Sequence, residues 1–77
     1  MPSPIRYVSA ERRTEDDFHE PFTMKEGETV FDAKTKAGPW ATMTQRSFAQ
    51  HSMGKLGTGY CQKYERQKNG ELHKVDG

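Results

Sequence analysis

Residues 28–53 read ETVFDAKTKAGPWATMTQRSFAQHSM, and the fold turns on them. Glu28 to Ala33 combines β-branched and aromatic residues, which suit a pleated, half-buried surface, and the run from Lys34 to Gly38 interrupts them as a turn does. Pro39 to Met43 supplies the return strand, with proline at its first position, where a missing N–H can face outward. Thr44 then offers a side-chain oxygen to an orphan amide, which predicts a helix from Gln45 to Met53 that stops at Gly54. Within that helix Phe48, Ala49 and Met53 fall at spacings that allow one shared buried side.

Downstream, glycines at 54, 57 and 59 argue for a loop, because each costs about 1 kcal/mol against alanine inside a helix. Tyr60 to Arg66 reads as a strand with Tyr60, Gln62 and Tyr64 on one face and Cys61, Lys63 and Glu65 on the other. Asn69-Gly70 signals a type I′ turn, and Leu72 to Val75 the returning strand. Upstream, Met1 to Pro4 suits an extended terminus, Ile5 to Ser9 a short strand, and Ala10 to Glu20 a charged loop without an apolar stripe, closed by Pro21. The expected organisation is a flexible acidic segment over 1–20 and one small α+β domain over 21–77, two β-hairpins around a short helix.

Aliphatic residues are scarce, so the eight aromatics must supply most of the apolar burial in a chain of 77 residues. The single cysteine, Cys61, excludes an internal disulfide and fits a reducing cytoplasm. No stretch reaches the roughly 18 apolar residues of a membrane span, and Met1 to Ala10 lacks an apolar leader core. Net charge is +1, yet residues 1–33 sum to −4 and residues 34–77 to +5. Such a split means either a basic binding face with an acidic arm or two halves that attract each other on folding.

Gly38-Pro-Trp-Ala-Thr-Met43, Leu56-Gly-Thr-Gly59 and Gln62-Lys-Tyr64 together resemble a pattern found in a group of small phage-encoded proteins of uncharacterised function. The resemblance spans about residues 29–64. It implies a zinc-ribbon or treble-clef scaffold in which a cysteine pair opens the helix. Here Thr44 and Ser47 occupy those positions, and only His19 near Phe18 to Phe22 is a potential upstream ligand, so the resemblance implies a treble-clef-like domain without its metal.

Structural zinc takes about four ligands in paired short spacings, and His19, His51, Cys61 and His73 show none, which leaves a site assembled from distant positions as the alternative. Nucleophilic catalysis by Cys61 with His51 lacks any sign of a lowered thiol pKa or an organised pocket. The glycine loop has neither the spacing nor the strand-to-helix setting of a phosphate cradle. The expectation is therefore a non-enzymatic interaction protein of phage type, without cofactor, that binds a host or phage protein or itself through Trp40, Met43, Phe48 and Met53. The competing role of these side chains is core, with Trp40 weighted towards it. The alternative is single-stranded nucleic acid held by segment 54–68, where Lys55, Lys63, Arg66 and Lys68 interleave with Tyr60 and Tyr64 so that charge tracks phosphates and rings stack bases. A second alternative is a zinc-binding structural domain.

Overall fold

In the computed structural model, which describes residues 5–54, 57 and 59–77, Thr29–Lys34 (β1) pairs antiparallel with Trp40–Thr44 (β2), Phe31 opposite Met43 and Lys34 opposite Trp40. The Thr35 amide and hydroxyl both donate to the Pro39 carbonyl, at 2.9 and 2.7 Å, and close the turn. Gly38 adopts φ +114°, which residues with a Cβ avoid, so this glycine permits the reversal. The second hairpin joins Cys61–Arg66 (β3) to Leu72–Asp76 (β4). Its turn lies at Asn69-Gly70 as expected but is not of the primed type. That type needs positive φ at both central residues, and of the two only Gly70 has it. The Asn69 side chain instead accepts from the Glu71 amide at 3.0 Å.

β1 also pairs antiparallel with β3, Val30 opposite Tyr64 and Ala33 opposite Cys61, giving one sheet in the order β2-β1-β3-β4. One α-helix, Gln45–His51 (α1), follows β2 directly, and the chain is a small single α+β domain. Thr44 caps the helix as the sequence indicates, its hydroxyl accepting from the Ser47 amide at 3.2 Å. The helix ends earlier than Met53. Ser52 turns extended, bonds back to the Phe48 carbonyl through its hydroxyl at 2.6 Å, and bridges to Thr35. The inward stripe is consequently Thr44, Ser47, Phe48 and His51, while Ala49 is exposed and Met53 lies outside the helix. No helix among the described residues is long and apolar enough to cross a membrane.

Strand alternation divides the core in two. On one sheet face Val30, Tyr64 and Leu72 pack with Ala10, Phe22 and the half-buried Tyr7, whose ring lies 4.9 Å from that of Tyr64. On the other, Phe31, Ala33, Met43 and Cys61 pack with Phe18, Ala41 and Phe48, and the Phe31 and Phe48 rings stack at 4.1 Å. Aromatic pairs at such distances add to plain area burial, which is how so few aliphatic residues suffice.

The segment before the sheet does the covering. Ile5 to Ser9 is not a strand: only Arg6 makes a ladder contact, to His73, before Val8–Ala10 turns into one 3-10 turn. Tyr7 donates to the Leu72 carbonyl at 2.9 Å, Lys74 to that of Ile5 at 2.7 Å, and the Glu11 carboxylate accepts from the Leu72 amide. These bonds occupy the outer edge of β4. The chain then crosses the sheet face with Tyr7 and Ala10 and reaches the opposite edge. There Asp17 accepts from the Thr42 amide at 2.7 Å and donates to its carbonyl, and Asp16 accepts from the Thr44 amide at 2.9 Å. Residues 5–20, expected as a flexible arm, are thus packed onto the domain, and the strand edges are occupied where residues 5–7 and 16–17 reach them. Covered edges do not recruit further strands. Acid–base pairs across the halves, Glu28 with Arg66 and Glu20 with Arg46, support the reading that the split charge draws the chain together.

Candidate functional site

Cross-strand register places side chains in rows. On the face that carries Val30 and Tyr64, the outermost row is Trp40, Lys34 and Tyr60, and the next is Thr42, Asp32 and Gln62. Among the described residues the covering segment reaches only as far as Tyr7, whose hydroxyl bonds to that of Thr42, and the outer row keeps exposed surface. Trp40 is 43% exposed and Tyr60 38%. Met53, at 43%, joins them, because the chain leaving α1 runs beside the end of β1 and donates its amide to the Lys34 carbonyl at 3.2 Å. The Lys34 amide in turn donates to Tyr60 at 2.8 Å. Three residues with large exposed side chains, from three segments, thereby flank one lysine.

The interaction residues separate accordingly. Trp40, weighted towards the core from sequence, is on the surface with Met53. Met43 is fully buried and Phe48 is half-buried against Phe31, which removes both from the docking face. The nucleic-acid set breaks up further. Tyr64 is 3% exposed and donates its hydroxyl to Gln62, and Arg66 is 1% exposed, so neither meets a base or a phosphate. Lys63 is half-buried on the helix side of the sheet opposite Phe31, Lys68 is exposed in the distal turn, and Lys55 lies outside the described residues. Sequence reading missed Lys34, whose position next to Tyr60 depends on β1 pairing with β3 and not only with β2.

No family model, curated protein or solved structure matches this chain.

Among the described residues, no three His, Cys, Asp or Glu side chains gather where they might hold a metal. His19 pairs with Glu15 at 3.0 Å, His73 with Glu71 at 2.8 Å, and His51 stacks on Phe18 at 4.0 Å between ring centres. Thr44 and Ser47 are tied instead to a carboxylate. Asp16, 2% exposed, accepts from the amides of Phe18, Glu20 and Thr44 and from the Ser47 side chain. Burial alone opposes its ionisation, but those four donors outweigh it and hold the carboxyl below its usual range.

Cys61 is fully buried, and burial, with Asp32 and Asp76 adding to it, pushes the thiol up to about 11. It therefore keeps its proton at neutral pH and is a poor nucleophile. Native protein is expected to react with an aromatic disulfide reagent only as fast as it unfolds, and stoichiometric modification within the mixing time of a stopped-flow experiment would contradict this.

A cavity of about 500 Å³ between Arg6, Glu11, Arg12, Met24 and Glu71 is lined by charges that mostly satisfy one another, since Arg6 bridges Glu11 and Glu71. A smaller apolar cleft of about 230 Å³ lies beside the β1–β2 turn between Phe18, Lys36, Ala37 and His51.

Proposed function

We propose that this chain is a non-catalytic docking module that binds a partner protein through Trp40, Tyr60 and Met53. The observation that carries the reading is that three residues with exposed side chains flank Lys34, Tyr60 and Met53 through backbone hydrogen bonds and Trp40 through strand register. Tryptophan, tyrosine and methionine are the residue types over-represented where proteins meet, and a central aromatic anchor commonly carries most of an interface's energy. Supporting it, the face is rigidly mounted, because two of its three segments are hydrogen-bonded to the same residue of a central strand. The phage-type resemblance supplies the setting: a cytoplasmic host or phage protein as partner, and a treble-clef-like scaffold in which the helix opening is held by Asp16 where related chains would use metal.

Immobilised chain is expected to retrieve a specific protein from a phage-infected bacterial lysate. Trp40→Ala should lower that yield at least about tenfold, as loss of an interface anchor does, whereas Val75→Ala, at a still more exposed position on β4, should leave it unchanged. Equal yields for Trp40→Ala and the unchanged chain would sink the reading. A dimer in sedimentation that Trp40→Ala dissociates would make the partner a second copy.

A further inference from the structure

The docking face has a cation at its centre. Lys34 lies in register between Trp40 on β2 and Tyr60, the residue leading into β3, so a partner that covers this row meets the lysine as well. Burying a charge without a counter-charge is strongly unfavourable, so an occupant must either leave Lys34 wet or bring an anion to it. The chain itself does not provide one. Among the described residues every ion pair belongs to an arginine or a histidine, and neither Lys34 nor the neighbouring exposed Lys36 has a carboxylate within 4 Å. The connection from β1 to β2, residues 34–40, carries two lysines, a tryptophan and no acid.

The inner row sets a limit on where an anion can sit. Asp32 stands between Thr42 and Gln62 on the same face, half-buried and without an ion pair. A negative group is attracted over Lys34 and repelled one row further in. The match is thus with an occupant whose negative charge lies along the outer row, towards Lys36, and whose apolar part meets Trp40 and Met53.

Resting on the docking reading above, we propose that the partner presents an acidic segment that sets a carboxylate over Lys34 and packs an apolar side chain against Trp40. Lys36 draws a second carboxylate, and Asp32 fixes the register by repelling any deeper one. A polypeptide fits this face better than a nucleic acid. The rings that would stack successive bases are reduced to the two flanking Lys34, while Tyr64 and Arg66 are buried, Lys63 lies on the opposite face and Lys68 in the distal turn.

Trp40 is the only tryptophan in the chain, so its emission reports directly on this face. Three probes distinguish the classes: a peptide alternating glutamate and leucine, its lysine and leucine counterpart, and an oligothymidylate. The acidic peptide is expected to shift Trp40 emission to the blue, saturably, and to bind more weakly as salt is raised. Lys34→Met, which keeps the apolar stem, and Lys34→Glu should each weaken it at least about tenfold, while Asp32→Asn should tighten it. Lys34→Glu should also gain affinity for the lysine peptide. If Lys34→Glu fails to fold, Lys36→Glu on the exposed turn carries the same reversal, with the same expected direction.

The inference is overturned if the acidic peptide produces no shift, if the lysine peptide or the oligothymidylate binds the unchanged chain at least as well, or if Lys34→Met binds the acidic peptide undiminished. Capture that depends on Trp40 but not on Lys34 would leave the docking reading standing and remove only its acidic partner. Capture that depends on neither removes both.

Discussion

Asp16→Ala is expected to destabilise the domain by about 2–4 kcal/mol, because hydrogen bonds to a charged acceptor are worth roughly 1.5–3 kcal/mol each and not all the stranded donors can find water. The carboxylate is the meeting point of three layers. It accepts from Phe18 and Glu20 in the covering segment, from Thr44 at the edge of β2, and from Ser47 in α1. A chain of this size has on the order of 4–12 kcal/mol in total, so the substitution removes a large fraction of it. In melting temperature the expected fall is about 10–25 °C. The neighbouring Asp17→Ala is the comparison. Its side chain is 42% exposed and holds a single strand amide together with Arg13, so about 1 kcal/mol is expected there. Urea titrations that place the two variants within about 0.5 kcal/mol of each other would show that Asp16 is not the tie assigned to it.

The same contact fixes the sign of the acid response. The folded-state pKa of Asp16 lies below its unfolded value of about 3.9, so the folded form binds fewer protons in that window. Its contribution is present above about pH 4–5 and is lost as pH falls through the folded value. Glu11, held low mainly by its bond from Arg6, acts in the same direction. Asp16→Asn should flatten this acid limb. It also sets an amide donor against the donors of Thr44 or Phe18, which makes it costly at neutral pH as well.

Glu28→Ala is the second large effect expected, about 3–5 kcal/mol, since it leaves a guanidinium buried without its counter-charge. Arg66 is 1% exposed and Glu28 9% at the side chain, with 3.0 Å between Nε and Oε1. The guanidinium also donates through Nη1 to the carbonyls of Glu11 and Gly70, lies 6.0 Å from the centre of the Phe22 ring, and has no partner for Nη2 among the described residues. Glu28 has further duties, accepting from the amides of Thr23 and Met24. Because desolvating an ion pair offsets much of its attraction, the double change Glu28→Leu with Arg66→Met should be less destabilising than Glu28→Ala alone. A double-mutant cycle with no coupling between the positions would overturn this account.

Both predictions concern residues whose surroundings sequence inspection does not reveal. Asp16 sits in the run Glu15-Asp16-Asp17, which composition cannot distinguish from a solvated charge cluster, and its neighbours on either side are indeed exposed. Arg66 and Tyr64 stand in a lysine-rich, tyrosine-bearing stretch that looks like a nucleic-acid surface, yet alternation along β3 sends both under the covering segment. The Thr44 cap, a purely local signal, marks the helix start, but the inward stripe of Thr44, Ser47, Phe48 and His51 is mostly polar, so apolar periodicity points correctly to Phe48 and wrongly to Ala49 and Met53. Trp40 and Met53 were identified as contact residues from residue type alone; their meeting with Tyr60 around Lys34 was not.

What the chain determines by itself is local. Alternation, β-branching and glycine at positive φ define two hairpins and the turns between them, a hydroxyl defines the helix start, and one cysteine excludes a disulfide. These signals act within a few residues, where backbone preference and capping operate. Only the tertiary structure decides that β1 lies beside β3, that the acidic segment crosses one sheet face and ties both edges, and which half of that face stays open. Those outcomes depend on contacts between residues tens of positions apart, made favourable by apolar burial on both sheet faces and tolerated only because Asp16 and Arg66 go under with their partners already in place.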